Sequence, residues 1–276
     1  QVEIHAVFAG GHFGRRNETA LEAVEIVKAI NGRAPVKLQW TREEELQNSV
    51  YMPMYLHRVT AGLDDNGNLI AYSHRIVGKS LLLDSPEFAA QFVVNGTDFT
   101  SVVGLATTSY DIPNILVESH NAVVAMPAAT WRSNYNKTYA IETFLDQVAR
   151  AAGRDPYELR RSLLARDPRE KKIDVLSVPE PVKDHIFAEH PRELRVLELA
   201  AQRAGWGEAM GPGRGRGIAL AYAYSTPVAQ VAEVTVADDG KIKVDRIVCA
   251  IDCGVAVNPD VIRAQMEGSI AFTLGS

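Results

Sequence analysis

Two long extended runs, each folded about a turn rich in Asp and Gly, constrain the fold of this chain most. Residues 56–78 read LHRVTAGLDDNGNLIAYSHRIVG, and residues 228–252 read VAQVAEVTVADDGKIKVDRIVCAID. Asn and Gly adopt the positive φ values that tight hairpins need, so each run predicts two antiparallel strands around its turn. The chain therefore contains at least two sheet units.

The sequence between and after these hairpins is helical in pattern. Residues 136–152 repeat apolar side chains every three or four positions and stop at Gly153. Asp155 and Pro156 then have the residue types of an N-cap and a first helical position. Residues 191–207 form another periodic segment, and Asn258 caps a helix that opens at Pro259 and runs through Gln265. Because helices and strands alternate irregularly, we predict an α+β fold of mixed sheets with flanking helices.

The remaining segments complete a two-part organisation. We predict a strand over residues 2–8, a helix capped by Asn17 and closed by Asn31 and Gly32, and a short strand over residues 36–40 (VKLQW). Residues 211–217 (GPGRGRG) are interpreted as a flexible lead-in to the second hairpin. Residues 166–190 are polar and interrupted by prolines, so we place a connection there between a first subdomain, 1–165, and a second, 191–276.

The turn after the first predicted strand reads FAGGHFGRR over residues 8–16. Glycines let a backbone approach a ligand closely, and the helix start behind them favours anions. A dinucleotide fingerprint is disfavoured because Ala9 replaces its leading glycine and no acidic residue ends the next strand. A phosphate loop is disfavoured because no Gly-Lys-Ser/Thr follows. A ligand site and a tight connection with solvated arginines both remain open from these residues.

A second segment carries an arginine beside an aromatic residue, directly before a helix. It reads PAATWRSNYN over residues 127–136 and places Trp131 and Arg132 in a polar loop. Arginine presents a planar fork of donors that suits a carboxylate, carbonyl or phosphate. Taken alone, such a residue is more often a surface arginine.

Composition excludes several classes of function. The 276 residues carry a net charge of −5 with scattered basic residues, so no nucleic-acid footprint is indicated. No apolar run approaches the roughly 20 residues that span a bilayer. Cys249 and Cys253 are expected to be small buried hydrophobic residues, and the histidines form no cluster with ligand spacing, so no protein-ligated metal is predicted.

Four segments together resemble the xanthine dehydrogenase/aldehyde oxidase family. They are GGHFGRR after a strand, PAATWRSNYN followed by ETFLDQVARAAGRDPYELR, RGIALAYAYSTPVAQVAEV, and IVCAIDCGVAVNPDVIRAQMEG. The resemblance touches nearly the whole chain, in the family's order. It is strongest to the molybdopterin-binding large subunit of the bacterial isoquinoline 1-oxidoreductase-like branch, and it implies the molybdopterin-binding domain fold of molybdenum hydroxylases.

The resemblance implies an enzyme that hydroxylates N-heterocycles or oxidises aldehydes with oxygen taken from water. The family uses molybdenum held by a molybdopterin dithiolene, commonly as the cytosine dinucleotide in this branch, and a glutamate base. Electrons leave through an iron–sulfur small subunit, or through a cytochrome in some relatives. A small-molecule substrate is implied. The resemblance does not indicate whether the compartment is the cytoplasm or the periplasm.

The resemblance also assigns residues. Gly11, Phe13 and Gly14 match the glycine-rich loop that lies against the oxo ligand of the metal, and His12 stands where glycine or alanine is usual. With Arg15 they form the predicted cofactor loop. Arg132 matches a substrate-orienting arginine, and Gln265 matches a glutamine that contacts the pterin.

Two family elements do not occur in these residues: an MGQG-type segment that grips the cofactor, and the GVGE segment that carries the base. General-base help is worth roughly 10²–10⁴ in rate. We therefore expect a piece of the large subunit that is inactive by itself and holds no cofactor. The alternative is a non-catalytic scaffold or subunit-contact domain that keeps the fold.

Overall fold

A computed structural model describes residues 5, 20–48, 51–83, 89–90, 92–126, 135–165 and 190–275. The strands are β1 Tyr55–Leu63, β2 Leu69–Gly78, β3 Val93–Val94, β4 Thr97–Asp98, β5 Asn114–Asn121, β6 Arg214–Ala223, β7 Thr226–Val236 and β8 Ile242–Ile251. The helices are α1 Ala20–Ala29, α2 Arg42–Asn48, α3 Phe99–Val102, α4 Tyr135–Ala151, α5 Pro156–Leu164, α6 His190–Arg203 and α7 Pro259–Leu274. Among these, no helix is long and apolar enough to cross a membrane.

The first predicted hairpin is confirmed as the antiparallel pair β1–β2. Its turn is fixed by Asp64, whose carboxylate accepts hydrogen bonds from the backbone N–H groups of Asn66 and Asn68 at 2.9 and 2.8 Å. Gly67 supplies the left-handed backbone, with a φ of 73°. Strand β5 then adds to β2 in parallel, giving the sheet order β1-β2-β5.

The second predicted hairpin is confirmed as β7–β8, and a third strand, β6, completes the sheet order β6-β7-β8. The prediction of a flexible lead-in over residues 211–217 is wrong from Arg214 onward, because β6 begins there and pairs with β7. The guanidinium of Arg216 also donates to Glu233 on β7 at 3.0 Å. Cross-strand backbone and ionic pairing therefore outweigh the conformational freedom of the glycines.

The predicted strand over residues 36–40 is also wrong. These residues alternate between half-buried and exposed side chains as a strand would, but they form no ladder with any strand that the structure describes. Alternating burial shows which face of a segment is covered. A β-strand also needs a neighbouring strand to pair with its N–H and C=O groups.

The predicted helix ends are confirmed where the structure describes them. Asn31 and Gly32, with φ values of 51° and 64°, follow α1, and Gly153, with a φ of 62°, follows α4. The carboxylate of Asp155 accepts hydrogen bonds from two backbone N–H groups at the start of α5, so this N-cap is confirmed. The predicted cap Asn17 and the strand over residues 2–8 lie outside the described residues.

The larger of two hydrophobic clusters among the described residues joins both three-stranded sheets through three helices, which confirms the α+β class. Helix α6 packs on β7 and β8, while α4 contacts β1 and β6. Fully buried core residues come from every one of these layers: Leu69, Leu145, Leu159, Leu197, Ala229 and Val231. The predicted connection at residues 166–190 falls, apart from His190 at the start of α6, on residues that the structure does not describe.

Inside this core, the Glu142 carboxylate of α4 holds three other segments. Its Oε2 accepts from the Arg160 guanidinium of α5 at 2.9 Å and from the backbone N–H of Leu220 in β6 at 2.9 Å. Its Oε1 accepts from the hydroxyl of Tyr110 at 2.8 Å. Burial opposes the charge on Arg160, yet the Glu142 carboxylate raises the arginine pKa above its ordinary value. The Arg160 guanidinium therefore stays charged at any working pH.

We expect Glu142→Ala to lower the free energy of unfolding by about 3–5 kcal/mol. It removes the more buried of the two carboxylates that pair with Arg160, the other being Asp146, and it leaves the Tyr110 hydroxyl and the Leu220 N–H without their acceptor. Glu118→Ala is the matched control, since its ion pair with Arg75 is exposed and is worth at most about 1 kcal/mol. Urea unfolding of both variants measures the difference. Equal losses in the two variants would contradict a central role for Glu142.

Candidate functional site

Among the predicted site residues, Gln265 is the one that lies within the described part of the chain. It stands in the middle of α7 with its side chain exposed. The predicted cofactor loop residues Gly11, His12, Phe13, Gly14 and Arg15, and the predicted substrate arginine Arg132, lie outside the described residues. Their placement remains a prediction.

Helix α7 carries Gln265 on its surface, and its half-buried side chains recur every fourth residue from Ile262. Asn258 caps the helix, its side chain accepting from the backbone N–H groups of Asp260 and Val261 at 3.0 and 3.3 Å. No residue of α7 is buried. Among the described residues, none hydrogen bonds to the Gln265 amide. An exposed amide offers both a donor and an acceptor.

The loop between β8 and α7 is tightly built at its start. Asp252 donates its backbone N–H to the Pro227 carbonyl at 3.1 Å, and its carboxylate accepts from the Gly254 N–H at 3.0 Å. Gly254 has a φ of 75°, a conformation that disfavours any residue with a Cβ. A hydrogen bond from Arg192, together with that from Gly254, lowers the pKa of the Asp252 carboxyl below its ordinary value.

The expectation that both cysteines are buried is wrong for Cys253. Its side chain is exposed in this loop, whereas Cys249, in β8, is half-buried. Strand β8 becomes more buried toward its end and stops at Ile251, so Cys253 lies beyond the part of the strand that packs on the core. Within the described ranges, no group of three or more His, Cys, Asp or Glu side chains is placed to hold a metal ion.

Two lysines, the half-buried Lys79 and the buried Lys137, make hydrogen bonds next to the segment that contains Arg132. Before it, the Lys79 ammonium donates to the carbonyls of Val124 and Met126, both at 3.3 Å. After it, the Lys137 ammonium in the first turn of α4 donates to the Thr100 carbonyl at 2.5 Å. Burial lowers the pKa of Lys137 to about 7, although the nearby Asp98 carboxylate acts to raise it. Sequence patterns gave no signal for either contact.

A chain of hydrogen-bonded rings lies between β1 and β2. Nδ1 of His74 is 2.6 Å from the Tyr72 hydroxyl, and its Nε2 is 2.8 Å from Nδ1 of His57. His74 is fully buried, and burial lowers its pKa to about 4, helped by His57. The sequence signal for this cluster is a spacing of two residues, which places the side chains of Tyr72, His74 and Ile76 on the same inner face of β2.

Two family models match the chain almost from end to end. A molybdopterin cofactor-binding domain model covers residues 1–164, and a second model of that description covers residues 186–276. The chain belongs to the molybdopterin-binding proteins of the xanthine dehydrogenase family. The resemblance in the sequence is thereby confirmed, and the α4–α6 core and the α7 segment are parts of molybdopterin-binding domains.

Curated relatives are much longer than this chain. It is 27% identical to the beta subunit of isoquinoline 1-oxidoreductase from Brevundimonas diminuta, over 98% of this chain and 32% of that protein. It is 26% identical to one subunit of the nicotinate dehydrogenase from Pseudomonas putida, over 98% of this chain and 23% of that protein. The chain thus spans a third or less of the length of these two relatives.

Solved structures align with this chain at lower identity. Quinoline 2-oxidoreductase from Pseudomonas putida 86 aligns with a TM-score of 0.49 and 19% identity, over 80% of this chain and 29% of that one. The aldehyde oxidoreductase from Desulfovibrio desulfuricans aligns with a TM-score of 0.43 and 18% identity, over 81% of this chain and 24% of that one.

The low pKa of His74 predicts acid sensitivity of the fold. Between pH 6.5 and about 4 the unfolded histidine takes up a proton that the folded one does not, so stability falls as the pH falls through this window. The slope contributed by His74 is at most about 1.4 kcal/mol per pH unit. We expect His74→Leu to flatten the pH dependence of urea unfolding there.

His120→Leu serves as the control, because His120 is exposed at the end of β5. It should retain the wild-type pH dependence. A profile for His74→Leu that is parallel to wild type from pH 4 to 6.5 would contradict a neutral, buried His74.

Proposed function

We propose that this chain is part of the large subunit of a molybdenum hydroxylase that oxidises N-heteroaromatic compounds or aldehydes with water as the oxygen source. The observation that carries the proposal is the pair of molybdopterin cofactor-binding domain matches, which cover residues 1–164 and 186–276. Two relatives named for isoquinoline and nicotinate support the N-heteroaromatic class, and one named as a membrane-bound aldehyde dehydrogenase supports the aldehyde class.

The described residues fit a molybdopterin cofactor. The exposed amide of Gln265 is available to the pterin, and nothing lies within 4 Å of a Cβ built on Gly254, which leaves its backbone open to a close approach. Molybdopterin would supply two-electron oxidation chemistry to this site. In this proposal the backbone of Gly11, Phe13 and Gly14, with His12 and Arg15, would hold the metal end of the cofactor.

Substrate orientation is assigned to Arg132. Its guanidinium fork can hold a ring nitrogen, a carbonyl or a carboxylate in one plane, which lowers the entropy lost on reaching the reactive geometry. Lys79 holds the carbonyl groups that precede this segment, and Lys137, which follows it, is itself anchored to the Thr100 carbonyl. The cofactor form that we propose is molybdopterin cytosine dinucleotide.

The complete reaction needs more than these residues in our proposal. The relatives are themselves named as subunits, and the chain covers 32% of one and 23% of the other. We assign electron removal to an iron–sulfur small subunit or a cytochrome, and proton removal to a glutamate outside these residues. The chain by itself would then be inactive. The second candidate, a non-catalytic scaffold, predicts a complete subunit that holds neither molybdenum nor pterin.

Gln265→Glu tests the proposal in the complete subunit. It keeps the shape of the side chain but removes both amide donors, and we expect the affinity for the pterin to fall up to about tenfold. Pterin fluorescence after oxidative release, and molybdenum by elemental analysis, give occupancy per protein. Glu267→Gln is the matched control, because it stands two residues away on the other side of α7.

Full occupancy in Gln265→Glu would remove Gln265 from the proposed site. Absence of molybdenum and pterin from the wild-type complete subunit would instead favour the scaffold.

A further inference from the structure

The position of α7 depends on the loop that precedes it. No residue of α7 is fully buried, and its half-buried side chains recur every fourth residue from Ile262. The connection from β8 runs through Asp252 and Gly254 to the N-cap Asn258. Gln265 lies seven positions after Asn258, about two helical turns, so a tilt at the loop displaces Gln265 by several ångströms.

One side chain from a different element holds the start of this loop. Arg192, in the first turn of α6, donates through Nη2 to the backbone carbonyl of Asp252 at 2.7 Å and to its carboxylate at 3.0 Å. The same carboxylate oxygen accepts from the N–H of Gly254. Arg192 therefore sets both the backbone and the side chain of the residue at which β8 becomes loop.

The other nitrogen of the same guanidinium holds the turn between β6 and β7. Nη1 of Arg192 donates to the carbonyl of Ser225 at 3.1 Å. Tyr224 and Ser225 have φ values of 50° and 57°, in the left-handed region that favours glycine and asparagine. Such backbone persists where the surrounding structure over-determines it. The turn and the loop are thus tied to one planar group on α6.

We propose that Arg192 is a positioning residue for the cofactor: it fixes the Asp252–Gly254 loop and, through α7, directs the Gln265 amide to the pterin. This inference rests on the proposed function. These contacts require a planar guanidinium rather than a single ammonium. Its two terminal nitrogens donate to three acceptors, two on Asp252 and one on Ser225. Lysine at this position keeps the charge but cannot span them.

The first test measures the loop in the chain itself. Amide hydrogen exchange should be about tenfold faster over residues 252–258 in Arg192→Ala and in Arg192→Lys than in wild type, while core amides of β7 keep their rates. Arg161→Ala is the matched control, because this exposed arginine also spans two helices, pairing with Glu158 and Glu198. Unchanged exchange in Arg192→Lys and Arg192→Ala overturns the proposal, and the thermal midpoint shows whether either variant is globally unfolded.

The second test measures the cofactor in the complete subunit. Arg192→Ala should lower pterin occupancy about as much as Gln265→Ala does, and the double variant should lose no more than either one. Losses that multiply would mean that Arg192 does not act through Gln265. Full occupancy in Arg192→Ala would overturn the inference while leaving the proposed function intact. A wild-type subunit without pterin would overturn both.

Discussion

A buried carboxylate joins the elements of this protein. Glu142 accepts hydrogen bonds from an arginine on α5, a tyrosine in the segment after α3 and the backbone of β6. A charge in the core is tolerated only when its oxygens are saturated with donors, as they are here. Because hydrogen bonds are directional, the three segments must take up one arrangement to satisfy the charge. Apolar contacts alone would permit several arrangements.

That arrangement connects the two regions that match molybdopterin-binding models. Glu142 belongs to the region of residues 1–164, and Leu220 belongs to the region of residues 186–276. A second buried contact, between the Ser109 hydroxyl and the Glu193 carboxylate, crosses the same divide. The sheet that leads into α7 is therefore fixed relative to α4, the helix that follows the Arg132 segment. A cofactor site built from both regions depends on this relation.

Local patterns predicted much of the architecture. Both hairpins and the ends of α1, α4 and α5 follow from turn and cap residues that act within a few positions, such as Asp64 and Asp155. The errors came where pairing decides the structure: residues 36–40 alternate without a neighbouring strand, and Arg214 begins a strand despite its glycines. The contacts of Glu142 with Leu220 and of Arg192 with Asp252 span 78 and 60 residues. No local pattern encodes such pairs.

The candidate site was less predictable than the fold. The role of Gln265 is a prediction from family resemblance, and the cap at Asn258 followed from sequence, but the absence of any fully buried residue in α7 did not. The central claim is that the two regions form one molybdopterin site. A crystal structure of the complete, cofactor-loaded subunit tests it most directly, through the distance from the Gln265 amide to the pterin. We predict a hydrogen bond of about 2.7–3.2 Å. A pterin bound away from α7 would contradict the account.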